Sequence, residues 1–309
     1  SSWSGWPQRP QGSMGSAAVR PYLPILCVMV IWGSMGIVST CALAEFSPMA
    51  VLCLRSGLGA LTLLPFALRA GLRPAKGEGG LLTGLALLGV VLCNYLYFNA
   101  IALTHLTSVA IIYALGPIVT AALAAVILQE TIRQTRLIGM ALAFLGVVAL
   151  LLTGTGEAAK LTFAGRGEAA ELLSVLCLAV YTIFSRRLKH TPAACGVFWM
   201  MAVSFAVTLP PALLSQGGIN LQASPKAWLS ILYLGGFCSG FGYLLQQRSI
   251  ALVGASASAA FLNGISPITI LTAAVFLQEP VSLPQLMCMA AILLGVALNA
   301  ANRNLLTIK

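Results

Sequence analysis

The segment Thr104 to Glu130, THLTSVAIIYALGPIVTAALAAVILQE, determines the predicted fold. It is an apolar run of membrane-spanning length, broken in its middle by Gly116 and Pro117 and closed by a Leu-Gln-Glu triplet. A second copy follows about 150 residues later, because Ile-Ala-Leu, Pro-Ile and Leu-Gln-Glu return in the same order around Gly264 and Pro267. The chain is therefore predicted to be a tandem repeat.

Both prolines are predicted to interrupt a helix near the middle of the membrane. Proline lacks an N–H group and its ring clashes with the carbonyl four residues earlier, so Pro117 frees the C=O of Tyr113 and Pro267 frees that of Asn263. Unpaired backbone at that depth is tolerated only where it faces protein or a water-filled cavity. The two breaks therefore form a candidate binding site, the alternative being kinks that only shape helix packing.

The composition excludes a water-soluble globular protein. Hydrophobic residues make up 59% of the 309 residues, and charged residues make up only 8%, whereas soluble domains carry about 25% charged residues. The net charge of +10 would suggest nucleic acid in a soluble protein, but here the lysines and arginines lie in short loops and indicate topology. The eight cysteines form no CxxC or Cys/His pair and are interpreted as small hydrophobic residues.

Ten apolar runs, bounded by proline, glycine and charged residues, predict ten membrane-spanning helices. They cover approximately residues 22–43, 48–69, 80–101, 105–128, 135–153, 168–188, 193–215, 227–250, 256–277 and 283–302. With the N-terminus inside, the inner loops and tails hold thirteen lysines and arginines and the outer loops hold three, which predicts cytoplasmic termini. Five helices per repeat is an odd number, so the second repeat is predicted to cross the membrane in the opposite sense to the first.

The predicted organisation is an all-α polytopic membrane protein with two inverted five-helix repeats around a central cavity. Its parts are an N-terminal tail at 1–21, a first repeat at 22–153, an outer linker at 154–167, a second repeat at 168–302 and a cytoplasmic tail at 303–309. Within the first tail, Gly12-Ser13-Met14 is typical of a short addition before a start methionine. The run after Tyr22 is too long for a cleaved signal peptide and is treated as the first helix.

Several features of the duplicated order match a known family. They are Trp32-Gly33-Ser34 in the first span, Arg55 in the second, Asn99 to Leu103 before the first break, and Gln-Glu pairs ending at Glu130 and Glu279. On these residues the chain resembles the drug/metabolite transporter superfamily, specifically its bacterial EamA-type ten-helix transporters, from Tyr22 to Asn302. The resemblance implies an inner-membrane secondary transporter with a central cavity and alternating access, usually exporting amino acids, nucleobases or other small metabolites. The second repeat departs from the pattern where Tyr181 aligns near Trp32, so that cavity wall is asymmetric.

Polar and aromatic residues inside the spans are candidate substrate contacts and gates. Trp32 lies at the middle of the first span, where it either walls the cavity or fills the core. The third helix presents Asn94 and Tyr97, whose repeat equivalents Tyr243 and Gln246 lie on the opposite side of the midplane. Tyr97 and Gln246 are therefore candidate gates, the alternative being ordinary interhelical hydrogen bonding. The candidate substrate contacts are Trp32, Arg55, Asn94, Tyr113, Tyr181, Tyr243 and Asn263.

Charged residues within the spans are few. Arg55 is the only one well inside a span, where it costs at least about 2.5 kcal/mol. It is predicted either to be tied to backbone carbonyls or to attract a carboxylate or phosphate of the substrate. Glu130 and Glu279 end the broken helices and either cap the helices that follow or take part in proton coupling. No carboxylate is expected at mid-span, so a conventional proton relay lacks its usual part.

Enzyme signatures are absent from the sequence. There is no aspartate, and the two histidines lie at predicted helix ends, so catalytic triads and metal sites lack their parts. No GxxxxGK[ST] loop occurs, so ATP hydrolysis is not predicted. No cofactor and no nucleic acid is expected; the expected partners are a small-molecule substrate, the lipid bilayer and, as one option, a second copy of the chain in a homodimer. The alternatives to an exporter are a facilitative uptake carrier and a membrane protein that binds a lipid or partner without transport.

Overall fold

The computed structural model describes most of both predicted repeats. The described residues are 20–104, 109, 112–127, 129, 134–152, 165–215, 218–265, 267–268, 271, 283, 286–287 and 289–295. All regular elements in these ranges are helical. They are α1 Leu23–Leu43, α2 Pro48–Ala70, α3 Gly79–Leu103, α4 Gly116–Ile127, α5 Gln134–Leu152, α6 Arg166–Ser185, α7 Ala193–Leu214, α8 Pro225–Val253 and α9 Ala255–Phe261. Residues 289–295 are also helical.

Six helices in the described ranges, α1, α2, α3, α6, α7 and α8, are long and apolar enough to cross a membrane. Large apolar side chains such as Val30, Leu61 and Leu229 are exposed on them. A surface of this kind is unfavourable in water but matches the hydrocarbon of a bilayer. The chain is accordingly a multi-pass membrane protein.

Three of the long helices contain local irregularities. In α1, regular helix ends at Gly33 and resumes at Met35. Two segments have the wider π-helical turn, Ala86–Leu92 in α3 and Leu234–Gly242 in α8, and we call them the α3 and α8 π-segments. They occupy equivalent places in the two predicted repeats. Such turns shift the backbone ladder and are frequent at functional sites.

The helix contacts follow a two-fold pattern. The longest contact runs between α2 and α7, and α4 packs against α9. In addition, α6 packs against α3 and α4, just as α1 packs against α8 and α9. Exchanging each helix of one predicted repeat for its equivalent in the other reproduces these pairs. The helices that carry the sequence-predicted site residues therefore come from both repeats and meet in the interior.

Close approach of α2 to α8 depends on small residues. A Cβ atom on Gly59 would lie 3.0 Å from Ser239 Cβ, and one on Gly235 would lie 2.4 Å from Leu58 Cβ. Small residues permit this kind of approach between membrane helices. The approach places Arg55 of α2 beside the α8 π-segment.

Two loop carboxylates connect the predicted repeats. The carboxylate of Glu78, directly before α3, accepts hydrogen bonds from the backbone N–H groups of Lys189, His190 and Thr191 at 2.9–3.1 Å and from the Thr191 hydroxyl at 2.5 Å. Burial opposes ionisation of Glu78, but the hydrogen bond from the Thr191 hydroxyl and those from the backbone outweigh it and lower the pKa to about 2. We call this contact the Glu78 clasp.

The second such contact, the Glu45 clasp, follows α1. Glu45 accepts from the backbone N–H of Ser224 at 2.6 Å and from the Ser224 hydroxyl at 2.5 Å. The hydroxyl and the backbone N–H of Ser224 both lower the pKa of Glu45. Each clasp therefore joins a loop of one repeat to a helix start of the other.

Candidate substrate-binding site

A buried polar cluster lies where α2, α3 and α8 meet. Arg55 is 2% exposed and donates from Nε to Ser239 Oγ at 2.6 Å and from Nη1 to Asn94 Oδ1 at 3.0 Å. Its guanidinium carbon lies 5.3 Å from the centre of the Phe98 ring, within cation–π range. Among the described residues, no carboxylate and no backbone carbonyl pairs with Arg55. Its charge is held by neutral side chains.

Asn94 and Tyr243 meet at the centre of this cluster. Asn94 Nδ2 donates to Tyr243 Oη at 2.7 Å and to the Val90 carbonyl at 2.9 Å, and Tyr243 Oη lies 3.3 Å from the Gly89 carbonyl. Both carbonyls belong to the α3 π-segment. Straight-helix geometry separates the two side chains by about 10 Å in depth. The observed contact shows that these equivalent residues converge instead.

Two further aromatic residues pack on Tyr243. The rings of Trp32 and Tyr181 lie 5.5 and 6.0 Å from the Tyr243 ring, both edge-on. Trp32 Nε1 donates to the Cys238 carbonyl of the α8 π-segment at 3.1 Å, and Gln247 Nε2 donates to Tyr181 Oη at 2.8 Å. Trp32 and Tyr181 thus occupy corresponding positions on α1 and α6 and contact the same ring from two sides.

A small cavity, which we call the Pro117 cavity, lies beside the first break. The chain turns at Ala114 and Leu115 before α4 begins at Gly116. The lining includes Tyr113, Gly116, Pro117 and Thr120 from this region, Thr182 from α6, and Leu262 near the second break. Its volume is about 10 Å³, roughly the space that one water molecule requires. The cavity is therefore too small to hold a metabolite in this structure.

The second break contributes an unpaired polar group. Asn263, 3% exposed, lies in a 3₁₀ turn at Leu262–Gly264 directly after α9, and its Nδ2 has no hydrogen-bond partner. A Cβ atom on Gly264 would lie 1.9 Å from Met29 Cε, so the break packs tightly on α1. Pro267 is buried nearby in the chain. An unsatisfied buried amide costs about 1–3 kcal/mol, which an acceptor on a ligand could recover.

The candidate gates lie one turn beyond the central pair. Tyr97 is half-buried and packs on Phe98 with ring centres 5.6 Å apart. Gln246 is 0% exposed; its Oε1 accepts from Ser258 at 3.5 Å, and its Nε2 has no partner. The structure therefore encloses Gln246 completely and Tyr97 in part. The two other carboxylate candidates, Glu130 and Glu279, lie outside the described residues.

One buried residue was missed in the sequence. Glu171 lies near an end of its predicted span and received no role, yet it is 0% exposed and neither carboxylate oxygen has a hydrogen-bond partner. It lies three residues before Ser174, whose hydroxyl donates to the Cys93 carbonyl of α3 at 3.0 Å. Glu168, three residues earlier, accepts a hydrogen bond from the Thr104 hydroxyl. No sequence signal separates these two glutamates; only their surroundings do.

The chain matches known proteins over nearly all of its length. A family model described as the EamA-like transporter family matches residues 20–152 and again residues 165–301. The uncharacterized transporter YyaM of Bacillus subtilis is 25% identical over 283 residues, which cover 89% of this chain and 92% of YyaM. An uncharacterized transporter of Archaeoglobus fulgidus is 26% identical over 286 residues, which cover 90% of this chain and 98% of that protein.

The fold is shared with a solved structure as well. A crystal structure matches with a TM-score of 0.78 at 17% sequence identity, covering 93% of this chain and 98% of the other. The relatives are named as transporters and the family is one of transporters, so the protein is not an enzyme. The resemblance predicted from Trp32, Arg55 and the duplicated breaks is thereby confirmed. With two consecutive matches that together span both repeats, the chain belongs to the EamA-like transporter family.

Proposed function

We propose that the protein is a secondary transporter that exports a small metabolite, such as an amino acid, a nucleobase or a related compound, across a bacterial inner membrane by alternating access. The observation that carries this proposal is the Arg55–Asn94–Tyr243 cluster. The cluster is buried and lies between helices of both repeats, and its positively charged Arg55 is hydrogen-bonded to neutral side chains. An intramembrane charge of this kind is costly and typically marks a substrate or ion pathway.

The chemistry of the cluster favours a substrate with an anionic group and a planar or apolar part. Arg55 supplies a guanidinium that can bind a carboxylate or phosphate bidentately. Trp32 and Tyr243 supply aromatic faces and edges beside it. At the second break, the unpaired amide of Asn263 supplies a hydrogen-bond donor.

The proposed architecture has ten helices in two inverted five-helix repeats, with both termini cytoplasmic. The symmetric helix contacts and the two equivalent π-segments support it. In this orientation the Glu45 clasp lies at the outer membrane face and the Glu78 clasp lies at the inner face. Both clasps are formed and the Pro117 cavity has room for only about one water molecule, so in this proposal the conformation corresponds to a closed intermediate between outward and inward openings.

Flux across proteoliposomes tests the proposal. Vesicles containing the purified protein are loaded with a mixed metabolite pool, and the compounds that leave are identified by mass spectrometry against protein-free vesicles. We expect selective loss of one compound or a related group. If no compound leaves faster than from protein-free vesicles, the protein does not transport that pool, and the lipid- or partner-binding alternative is favoured. Reconstitution of the protein in one known orientation distinguishes export from facilitated uptake, because the direction of net transport can then be measured.

Substitutions at the two breaks then locate the site. Since Tyr113 lines the Pro117 cavity and the Asn263 amide is unpaired, we expect Tyr113→Ala and Asn263→Ala to weaken the apparent substrate affinity about tenfold or more. The matched controls are Tyr95→Ala, on an exposed face of α3, and Asn220→Ala, in an exposed loop. Unchanged affinity in both test variants, with folding intact, would place the substrate elsewhere.

A further inference from the structure

Glu171 is a fully buried carboxyl group in a membrane-spanning helix. It lies in the second turn of α6, about 7.5 Å along the helix axis from Arg166. The residue is 0% exposed, and neither Oε1 nor Oε2 has a hydrogen-bond partner. Buried carboxylates are normally paired, hydrogen-bonded or neutral, so this one requires an explanation.

The position of Glu171 connects it to the Pro117 cavity. Glu171, Val175, Leu178 and Thr182 are spaced at i, i+4, i+7 and i+11, so they lie on one face of α6. The last three of them line the cavity. Val175 also reaches the first break, with its Cγ1 4.0 Å from the place where a Cβ atom of Gly116 would lie. Glu171 therefore extends the α6 wall of the cavity by one turn.

The elements packed against α6 offer Glu171 no ion pair in the described structure. They are α3, α4, the end of α8, and α9, and neither α4 nor α9 carries a titratable side chain. The titratable or charged groups that remain are Cys93, Tyr95 and Tyr97 on α3, Tyr113 before α4, Tyr243 and Arg248 on α8, and Arg166, Glu168, Cys177 and Tyr181 on α6 itself. Arg166 and Arg248 are both exposed, and the others are uncharged or acidic.

An isolated negative charge in such surroundings is strongly unfavourable, because the side chain is fully buried and no cation among the described residues pairs with it. The closed conformation is therefore compatible with a neutral carboxyl group. We propose that Glu171 is the proton-binding group of the transport cycle and that its protonation permits the empty transporter to close. This inference rests on the proposed export function.

The coupling of substrate export to proton uptake follows from the side of the membrane on which water reaches Glu171. In the outward-open form, the substrate leaves and the widened cavity admits water to Glu171, which takes a proton from the outer side. The neutral carboxyl then allows closure and reopening to the inside, where the proton returns to water. On the outward leg, the ionised carboxylate pairs with an ammonium or N–H group of the bound substrate, which lets the loaded form close. Only an O–H bond is formed and broken, so each cycle moves one proton inward for one substrate outward. Without bound substrate, an ionised Glu171 has no partner and opposes closure, which prevents proton-free return.

Reaction with a lipid-soluble carbodiimide tests directly whether Glu171 is protonated, because the reagent adds to protonated carboxyl groups in apolar surroundings. Purified protein is treated with dicyclohexylcarbodiimide across a pH series, and the adduct is located by mass spectrometry. We expect the adduct on Glu171, with a yield that falls as pH rises, and little on Glu168, which accepts from Thr104. No adduct on Glu171 at any pH, or an adduct yield that does not depend on pH, would contradict the proposal that Glu171 binds a proton.

Coupling is tested in vesicles that contain the metabolite pool and a trapped pH dye. For wild type we expect an inward proton gradient to accelerate efflux at least several-fold, with dye acidification. We expect Glu171→Gln, which mimics the neutral carboxyl, to keep gradient-free exchange and to lose the acceleration and the acidification. The matched control, Glu168→Gln, should respond like wild type. If Glu171→Gln responds to the proton gradient as fully as wild type does, the coupling role of Glu171 is refuted. If wild type shows no efflux but Glu171 still forms a pH-dependent adduct, the proposed transport function is refuted while the proton site remains.

Discussion

Arg55 is held by neighbours that suit a guanidinium group in particular. Nε and Nη1 point to two different acceptors, Ser239 and Asn94, while the planar face lies over Phe98. An ammonium group on a flexible stem cannot reproduce this fork and this stacking. The residue is therefore fixed in one orientation, and no carboxylate among the described residues compensates its charge, which is the arrangement that the proposed binding of an anionic group requires.

Substitutions of Arg55 separate charge from shape. We expect Arg55→Gln to reduce transport of an anionic or zwitterionic substrate about tenfold or more, since it removes a charge-assisted hydrogen bond worth about 1.5–3 kcal/mol. Arg55→Lys should retain part of the activity because it keeps the charge. Initial rates in proteoliposomes measure both. The matched control, Ser239→Ala, removes a neutral hydrogen-bond partner of Arg55 and should reduce transport less. Full activity in Arg55→Gln would show that Arg55 has a structural role only.

The sequence identified some single residues and missed others for physical reasons. Arg55, Asn94 and Trp32 stand out because charged, polar or bulky groups are rare at the middle of apolar spans. Glu171 does not stand out, because a carboxylate near the end of a span is ordinary and its burial depends on how α3 and α4 pack on α6. The Asn94–Tyr243 contact depends on three-dimensional convergence and has no sequence signal.

The Glu78 clasp makes a pH-dependent contribution to stability. Folding lowers the Glu78 pKa from its usual 4.5 to about 2, so the stabilisation is fully present above pH 4.5 and is lost as pH falls toward 2. We expect Glu78→Gln to lower the melting temperature in detergent at neutral pH. The amide has one acceptor oxygen in place of two, so it cannot accept all the hydrogen bonds that the carboxylate accepts from the three backbone N–H groups. The difference from wild type should shrink progressively below pH 4.5. A difference that is constant with pH would contradict the assignment to the carboxylate.

At the level of elements, the sequence predicted the helices more readily than their internal geometry. The apolar runs that predicted α1, α2, α3, α6, α7 and α8 correspond to helices in the structure within a few residues. The π-segments were not predicted, because nothing in the Ala86–Leu92 sequence distinguishes a π-helical turn from an α-helical one. Those turns supply the carbonyls of Gly89, Val90 and Cys238 that hold the central side chains.

Glycines in and beside the π-segments are required by the aromatic rings that pack on them. A Cβ atom on Gly89 would lie 2.1 Å from Tyr181 Cδ2, and one on Gly242 would lie 2.5 Å from Trp32 Nε1. We expect Gly89→Ala and Gly242→Ala each to destabilise the protein by about 1–3 kcal/mol through overpacking. Thermal unfolding in detergent measures this. Gly84→Ala on the same helix as Gly89 is the control, because its Cβ would meet no atom within 4 Å; equal melting temperatures for the three variants would show that the rings can move aside.

For the whole molecule, the duplicated motif was the most informative feature of the sequence. It predicted two similar halves, and the family model indeed matches twice. The contact pattern in which α1 meets α8 while α6 meets α3 could not be predicted, since it depends on how the two halves interlock. In the orientation proposed above, each face of the membrane has one clasp, and we expect an opening at one face to require the release of that clasp only.

The proposed alternating access predicts a measurable change at Tyr97 and Gln246. Tyr97 is half-buried and Gln246 is fully buried, and each lies one turn beyond Asn94 or Tyr243 on α3 or α8. We expect cysteines at the two positions to react with impermeant thiol reagents from opposite sides of the vesicle, one becoming more accessible as the other becomes less so when the transported compound is added. Wild type, whose Cys93 and Cys238 are buried, provides the background rate. Simultaneous reaction of both positions from both sides would indicate a continuous pore, because a carrier with one clasp always closed cannot expose the two gates together.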